Sequence, residues 1–368
     1  MRRRTVFATF VAVVQFILLL AHYFLYQTWA FHHVPRHPHA LQAGAGVLSV
    51  SFVAASVLAF SYTSAPVRAF YKASAVWMGF LSFFCLAALS SWVVLAGASF
   101  AGVTINFHLL VEVLFAVAIL LGICGVWNAN WTRITRARVR LENLPDAWHG
   151  RKAALLTDVH LGHVRNRGFL TRLVGKITKE QPDLIFIAGD LFDGTAIDAH
   201  EATKPLKQLT APHGVFFVAG NHEQFGDDTN FLNAIAATGV RVLKNERVNV
   251  DGLQIVGVPY NSATSNGDLA SVLRDLPLDQ DRASILLTHA PDHPAIAEAK
   301  GFSLQLSGHT HLGQFIPWSW MARRIYRQFV YGLSRIGRMQ VFTSSGAGTW
   351  GPPLRLGSNP EIVMLEFE

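Results

Sequence analysis

The sequence predicts an α/β protein, a layered domain with sheet inside and helices outside, preceded by four membrane-spanning helices. Three observations carry that expectation. Charge is nearly absent from the first third: residues 1–130 hold six of the 31 Lys/Arg (Arg2, Arg3, Arg4, Arg36, Arg68, Lys72) and one of the 24 acidic residues, Glu112. Four long apolar runs fill the same third. Beyond it, short apolar strands alternate with helix-like stretches, the pattern of a sheet covered by helices.

The apolar runs are approximately Thr5–Phe24, Ala43–Phe60, Ala73–Ala98 and Phe107–Trp127. Each approaches or exceeds the roughly 18 to 20 residues that cross a bilayer as a helix. Helix is required there, because hydrocarbon offers backbone groups no other partner. The first run is longer than the roughly 7 to 15 apolar residues of a signal peptide and lacks a following A-x-A site. The Arg2-Arg3-Arg4 start bears only a faint likeness to a twin-arginine signal.

Basic residues assign the sides. The N-terminus carries three, the first loop Arg36, the second loop Arg68 and Lys72, the third none, and the exit from the fourth helix Arg133, Arg136, Arg138 and Arg140. An excess on alternate segments puts both ends in the cytoplasm by the positive-inside rule. Cys85 and Cys124 fall within the apolar runs and read as packing residues, leaving no disulfide framework or thiolate site. His32, His33, His37 and His39 cluster in the first outer loop and read as a solvated segment without a carboxylate to complete a metal site.

The organisation expected is a transmembrane domain over 1–130, a basic exit and linker over 131–147, and a globular domain over 148–368. In the last, strands are predicted at Ala153–Thr157, Leu184–Ala188, Val215–Ala219, Ile255–Val258, Ser284–Thr288, Leu304–Ser307, Val341–Thr343 and Ile362–Phe367, with helices at Phe169–Glu180 and Asn230–Thr238. Val248 to Ile255 reads as a hairpin with an Asp251-Gly252 turn. No internal repeat or low-complexity tract is present.

Several of these strands end in residues that carry chemistry. The first runs into Asp158-Val159-His160, the next into Gly189-Asp190-Leu191-Phe192-Asp193, and the third into Gly220-Asn221-His222-Glu223. Later strands end in His289 and in Gly308-His309-Thr310-His311. One such residue after a strand is usually a turn or cap. Five strands delivering them at the same end converge, since ligands of open α/β sheets lie outside the carboxyl ends of the strands. The resulting cage holds oxygen and nitrogen donors without sulfur, which suits hard or borderline divalent ions.

These motifs, Asp158-x-His160, Gly189-Asp190-x-x-Asp193, Gly220-Asn221-His222-Glu223, His289 and Gly308-His309-x-His311, resemble those of the calcineurin-like metallophosphoesterases over roughly residues 150–368. The resemblance implies a four-layer α-β-β-α sandwich with two divalent metal ions, Mn²⁺ foremost and Fe, Zn or Mg as alternatives. It implies Asp158, His160, Asp190 and His311 on one metal and Asp190, Asn221, His289 and His309 on the other, with Asp190 bridging. Paired metals clamp a phosphoryl group and lower the pKa of a bound water, so attack by metal-activated hydroxide is expected. His222 would stabilise the transition state or protonate the leaving group, and Asp193 would orient it. Glu223 and His163 are expected behind the ligands, and His149, His200, His213 and His293 at the surface or in turns.

After the histidine pair, Trp318, Trp320, Met321, Ile325, Tyr326, Phe329 and Tyr331 interleave with Arg323, Arg324 and Arg327. That mixture suits a membrane interface as well as an ordinary amphipathic insert. Trp318, Trp320, Arg323, Arg324, Tyr326 and Arg327 are therefore the candidate interface residues. The ending, Gly351 to Ile362, is similar to a membrane-associated bacterial branch of the family, with phosphodiesterases and UDP-2,3-diacylglucosamine pyrophosphatases among its members. The likeness implies a bacterial inner-membrane protein acting on a phosphodiester or pyrophosphate, with a lipid-linked substrate and the bilayer as partner. Leu312 departs from the small residue often found there, which bears on the shape of the site beside His311.

The other readings are a protein or small-molecule phosphomonoesterase and a non-catalytic membrane sensor or scaffold. The first lacks the Arg-Asn-His motif of the protein phosphatases, since Gly194-Thr195 follow Asp193. The second should have lost ligands, and no motif residue is missing. Nucleic acid is not an expected partner: the sequence pI of 9.6 owes much to arginines flanking the membrane runs. Nothing in the sequence assigns an oligomeric state.

Overall fold

The structure is a computed structural model and describes residues 2–31, 37–225 and 228–368. It divides into two units, Met1–Trp127 with Gly351–Leu356, and Asn128–Trp350 with Gly357–Glu368.

The first unit is built on α1 (Arg2–Ala30), α2 (Pro38–Ser61), α3 (Ala65–Phe100) and α4 (Phe107–Asn128). All four are long and apolar enough to cross a membrane. Helix α3 starts earlier than its apolar run because Ser64 and Pro66 make a favourable helix start, so Arg68 and Lys72 lie in its first turns rather than in a loop. His37 and His39 sit at the exposed start of α2, while His32 and His33 lie outside the described residues.

Small residues form the buried helix faces: Ala55 and Ala59 on α2, Ala75, Gly79, Ala87 and Ala88 on α3, Ala118, Gly122 and Gly125 on α4. Without a hydrophobic drive between helices in lipid, such close approach and interhelical hydrogen bonds supply the cohesion. Trp77 Nε1 donates to His22 Nε2 at 2.9 Å, and Trp92 Nε1 to Thr28 Oγ1 at 2.9 Å. Gly351–Leu356 joins this unit, with Leu354 filling the notch beside Gly125, where a Cβ would come within 2.7 Å of it. The Arg355 N–H donates to the Gly125 carbonyl at 2.9 Å.

The second unit contains β1 (Arg133–Val139), β2 (Lys152–Leu156), β3 (Leu184–Ala188), β4 (Val215–Val218), β5 (Arg241–Val242), β6 (Glu246–Val250), β7 (Leu253–Val258), β8 (Ser284–Thr288), β9 (Leu304–Ser307), β10 (Gly332–Ile336), β11 (Met339–Thr343) and β12 (Glu361–Phe367). Its helices are α5 (Arg167–Glu180), α6 (Ala199–Thr203), α7 (Thr229–Ala236), α8 (Tyr260–Ala263), α9 (Asn266–Asp275), α10 (Pro294–Lys300) and α11 (Trp318–Tyr326). One six-stranded sheet runs β1-β12-β2-β3-β4-β5, the other β10-β11-β9-β8-β7-β6.

Strand periodicity builds the layers. On β3, Leu184, Phe186 and Ala188 enter the core between the sheets, while Ile185 and Ile187 meet α5, α6 and α7. Leu286 and Val256 of the second sheet face Leu269 and Leu273 of α9 and Ala297 of α10. The order is helix, sheet, sheet, helix.

Residues 131–147, read from sequence as a linker, contain β1, which pairs in parallel with β12 from Arg133↔Glu361 to Val139↔Phe367. Its arginines conceal the alternation of a strand, and charged side chains suit a sheet edge. The β6–β7 hairpin turns at Asp251 and Gly252 with φ of 47° and 85°, both positive as a type I′ turn requires.

Trp148 closes one side of the intersheet core. It is fully buried, its ring stands 5.8 Å from that of Phe367, and its Nε1 donates to the Val250 carbonyl at 3.1 Å. Trp148→Ala should destabilise the second unit by about 3–5 kcal/mol, read as a lowered thermal unfolding midpoint of the purified chain.

Candidate metal centre and active site

Strands β2, β3 and β4 are mutually parallel in one sheet and β8 and β9 in the other, so each set ends at a common edge. The residues that follow are gathered there. Asp158, His160 and His311 form one group of donors, and Asp190, His289 and His309 another. His160 and Asp190 also group with His222; within each group the donor atoms lie within 4.8 Å of one another.

The backbone is bent to make this possible. Asp158, His160, Asp190, His309 and His311 have φ of 54°, 54°, 50°, 69° and 49°. Each occupies the left-handed region that side-chain-bearing residues enter at a cost, a form of strain that collects at functional sites. Main-chain hydrogen bonds hold it: Asp158 N–H to the Gly189 carbonyl at 3.1 Å, His160 N–H to the Asp190 carbonyl at 3.0 Å. The His309 N–H donates to Asp158 Oδ2 at 3.0 Å. Gly308 is required by that contact, since a Cβ there would lie 2.2 Å from Thr157 Oγ1 and 2.3 Å from Asp158 Oδ2.

The donor atoms meet at close range. His160 Nε2 lies 3.0 Å from His311 Nε2, and His309 Nδ1 lies 3.1 Å from His289 Nε2. His289 Nε2 is also 3.1 Å from Asn221 Oδ1 and 3.1 Å from Asp190 Oδ2. Facing nitrogens repel unless a proton or cation lies between them, and the set is all nitrogen and oxygen. The residues therefore fit divalent ions.

Burial and neighbouring charges shift the titration of these groups in opposite directions. Burial would raise the Asp190 carboxyl, but the charge and hydrogen bond of His289, with His222 and His160, hold it well below the usual carboxylate range. Burial would lower His289, and Asp190 instead pushes it up to about 10. Burial, reinforced by the His289 charge, takes His309 down to about 3. Burial takes Asp158 up to about 6, with His289 opposing and Asp190 adding.

His222 stands apart in role. Its Nδ1 is 2.8 Å from the main-chain carbonyl of Asp193, which fixes Nδ1–H as the donor and leaves Nε2 toward Asp190 Oδ2, 3.9 Å away. Asp193 thus reaches His222 through its main-chain carbonyl. The Asp193 carboxylate accepts from the N–H and hydroxyl of Thr195, and burial pushes it up to about 6. Thr195 Oγ1 in turn lies 3.1 Å from His163 Nδ1.

Sequence reasoning gave Glu223 too little weight. Its buried carboxylate accepts from the N–H groups of Asp190 at 2.9 Å, Gly220 at 2.8 Å and Phe192 at 3.0 Å, tying the loops after β3 and β4 together. Burial, with the Asp190 charge, pushes it up to about 7. Tyr260, whose ring is 5.3 Å from His309, was also missed, as was Trp350, 5.7 Å from His222. The run Gly348-Thr349-Trp350-Gly351, an aromatic between turn residues, was the available signal.

Helix α11 lies beside this site. Leu312, Ala322, Val330 and Tyr326 make a small core beneath it, so the unusual Leu312 serves as its seat. Tyr326 differs from the expected outward position: its ring faces His309 at 6.1 Å. Trp318, Trp320, Met321 and Ile325 are 45%, 61%, 52% and 61% exposed, alongside exposed Arg323, Arg324 and Arg327.

A two-sheet sandwich with imidazoles and carboxylates gathered at its strand ends defines a metal-dependent hydrolase architecture. A family model described as calcineurin-like phosphoesterase matches residues 151–313. A metallophosphoesterase of Aquifex aeolicus is 30% identical over 259 residues, covering 68% of this chain and 98% of that protein. The chain belongs to the calcineurin-like metallophosphoesterases. It is also 33% identical over 231 residues to a metallophosphoesterase of Campylobacter jejuni, covering 61% of each, and 32% identical over 270 residues to a bovine transmembrane protein with metallophosphoesterase domain, covering 68% of this chain and 60% of that one. The chain thus spans about six tenths of the length of the Campylobacter relative.

Glu223→Gln replaces one accepting oxygen with an amide that donates toward N–H groups. It should cost about 1–3 kcal/mol, seen as a lower unfolding midpoint, and weaken Mn²⁺ binding in a titration because the loops that carry Asp190 and Asn221 lose the tie between Asp190, Phe192 and Gly220.

Proposed function

We propose that this chain is a membrane-anchored phosphoesterase that hydrolyses a phosphodiester or pyrophosphate, and that the substrate is lipid-linked. The observation that carries the hydrolase reading is the convergence of Asp158, His160 and His311 beside Asp190, His289 and His309, with His222 next to both sets. Asn221 would complete the donors of two divalent ions, with Asp190 shared between them, and Mn²⁺ is the ion proposed first, as the family resemblance implies. When bound, such ions supply Lewis-acid charge and a water of lowered pKa.

The chain's own residues supply the rest. In its imidazolium form His222, with Nδ1–H held by the Asp193 carbonyl, carries a second proton on Nε2 that it can hand to the leaving oxygen, becoming the neutral Nδ1–H ring. Thr157 Oγ1 donates to Asp158 Oδ2 at 2.7 Å and steadies that carboxylate. Glu223 keeps the Asp190 and Asn221 loops in register.

The exposed aromatics and arginines of α11 support the lipid reading. Rings with cationic neighbours favour the headgroup layer, and the inner side of the same helix places Tyr326 against His309. The proposed location is a bacterial inner membrane with both the N-terminus and the second unit in the cytoplasm. Arg68 and Lys72 at the start of α3 and Arg133, Arg136 and Arg138 beyond α4 support that side, as does the lack of Lys/Arg between α3 and α4.

The test is hydrolysis of bis-p-nitrophenyl phosphate and p-nitrophenyl phosphate by the detergent-purified chain after chelation, with Mn²⁺ then added back. Diester cleavage should require the metal and fall about 10²-fold or more in Asp190→Ala and His222→Ala. Preference for the monoester would overturn the diester reading, and silence on both from metal-loaded protein would overturn the hydrolase. Trp320→Asp should lower turnover of a phosphodiester lipid in anionic vesicles about tenfold more than turnover of the soluble diester; equal losses would remove the interface role of α11.

A further inference from the structure

One large apolar side chain at the site lies open where its neighbours are covered. Residues 341–349 and 352–355 are buried, yet Trp350 between them is 56% exposed. Its ring lies 5.7 Å from that of His222, with the planes at 65°.

The exposed ring has a fixed root. Trp350 N–H donates to Gln314 Oε1 at 2.7 Å, and Gln314 Nε2 donates to the Trp350 carbonyl at 2.9 Å. One side-chain amide thus takes both main-chain groups of the tryptophan. Gln314 is itself buried, lies three residues beyond His311, and accepts at its own carbonyl from Ser358 Oγ at 2.7 Å. On the other side, Gly348 N–H donates to the Asp158 carbonyl at 2.7 Å. The loops that carry Asp158 and His311 therefore both hold the segment from which the indole projects.

We propose that Trp350 is a specificity-determining residue: its indole receives the organic group attached to the leaving oxygen, a planar or apolar moiety of about ring size. This rests on the phosphoesterase reading. If Nε2 of His222 gives the leaving oxygen its proton, the group attached to that oxygen must extend on the His222 side, where the indole stands. The neighbours of His222 named above are otherwise polar, Asp190 and His160, and offer such a group no apolar surface. A tryptophan gives large contact area with few torsions to freeze, so a ring held at its backbone binds without much ordering cost. Trp350 leaves the phosphoryl chemistry to the metal donors and selects what is attached to it.

The experiment is calorimetric binding of non-hydrolysable phosphonates to the full chain loaded with Mn²⁺. Methylphosphonate reports the phosphoryl contacts alone; phenylphosphonate and butylphosphonate add a planar or a flexible apolar group. The wild type should bind phenylphosphonate or butylphosphonate about tenfold tighter than methylphosphonate. Trp350→Ala should bring that ratio to within about twofold, and Trp350→Phe should keep most of it, with thermal unfolding establishing that both variants are folded. Collapse of the phenyl ratio identifies a planar leaving group, and collapse of the butyl ratio a chain-like one. A ratio that survives in Trp350→Ala overturns the platform, whereas failure of the wild type to bind any of the three overturns the phosphoesterase reading beneath it.

Discussion

A carboxylate removed from water has to be compensated by what surrounds it, and the second unit is organised around that demand at Asp190. Its oxygens meet the His222 N–H at 2.9 Å and His289 Nε2 at 3.1 Å. Its own N–H is taken by Glu223. Asp190 follows β3 and these partners follow β4 and β8, so satisfying one buried charge requires both sheets to present their carboxyl ends together. The left-handed backbone at five of the candidate donors is the local cost of that gathering.

The same constraint explains why the surrounding residues are polar in layers. Donors close to Asp190 are held by a second set of fixed groups: Thr157 on Asp158, the Asp193 carbonyl on His222, Glu223 across two loops. Such outer partners fix ring orientation and tautomer, which sets what a metal ligand can do. At Asp193 the carbonyl orients the histidine while the carboxylate organises the Thr195 turn.

The site is flanked by aromatics of different standing. Tyr260 and Tyr326 lie against His309 and are partly covered. Trp350 is open and rooted by Gln314. Beyond Tyr326, the outward face of α11 mixes exposed indoles with arginines, so one short helix carries both a ring beside the candidate donors and an exposed aromatic and cationic surface. The first unit, with its small-residue helix faces and Trp–His and Trp–Thr hydrogen bonds, follows the separate rules of packing in lipid.

The sequence by itself determined the apolar helices, the continuous apolar run of β3, and the candidate donor residues at the strand ends, because each is written in short-range pattern or in motif spacing. Only the tertiary structure decided what depends on groups distant in the chain. Strand β1 was hidden because its arginines mask the alternation and its partner, β12, lies more than two hundred residues away. The clamp by Glu223, the backbone route from Asp193 to His222, the inward turn of Tyr326 and the membership of Gly351–Leu356 among the apolar helices were hidden for the same reason. Each is fixed by which main-chain groups and cavities come together on folding, and local residue order carries no record of those meetings.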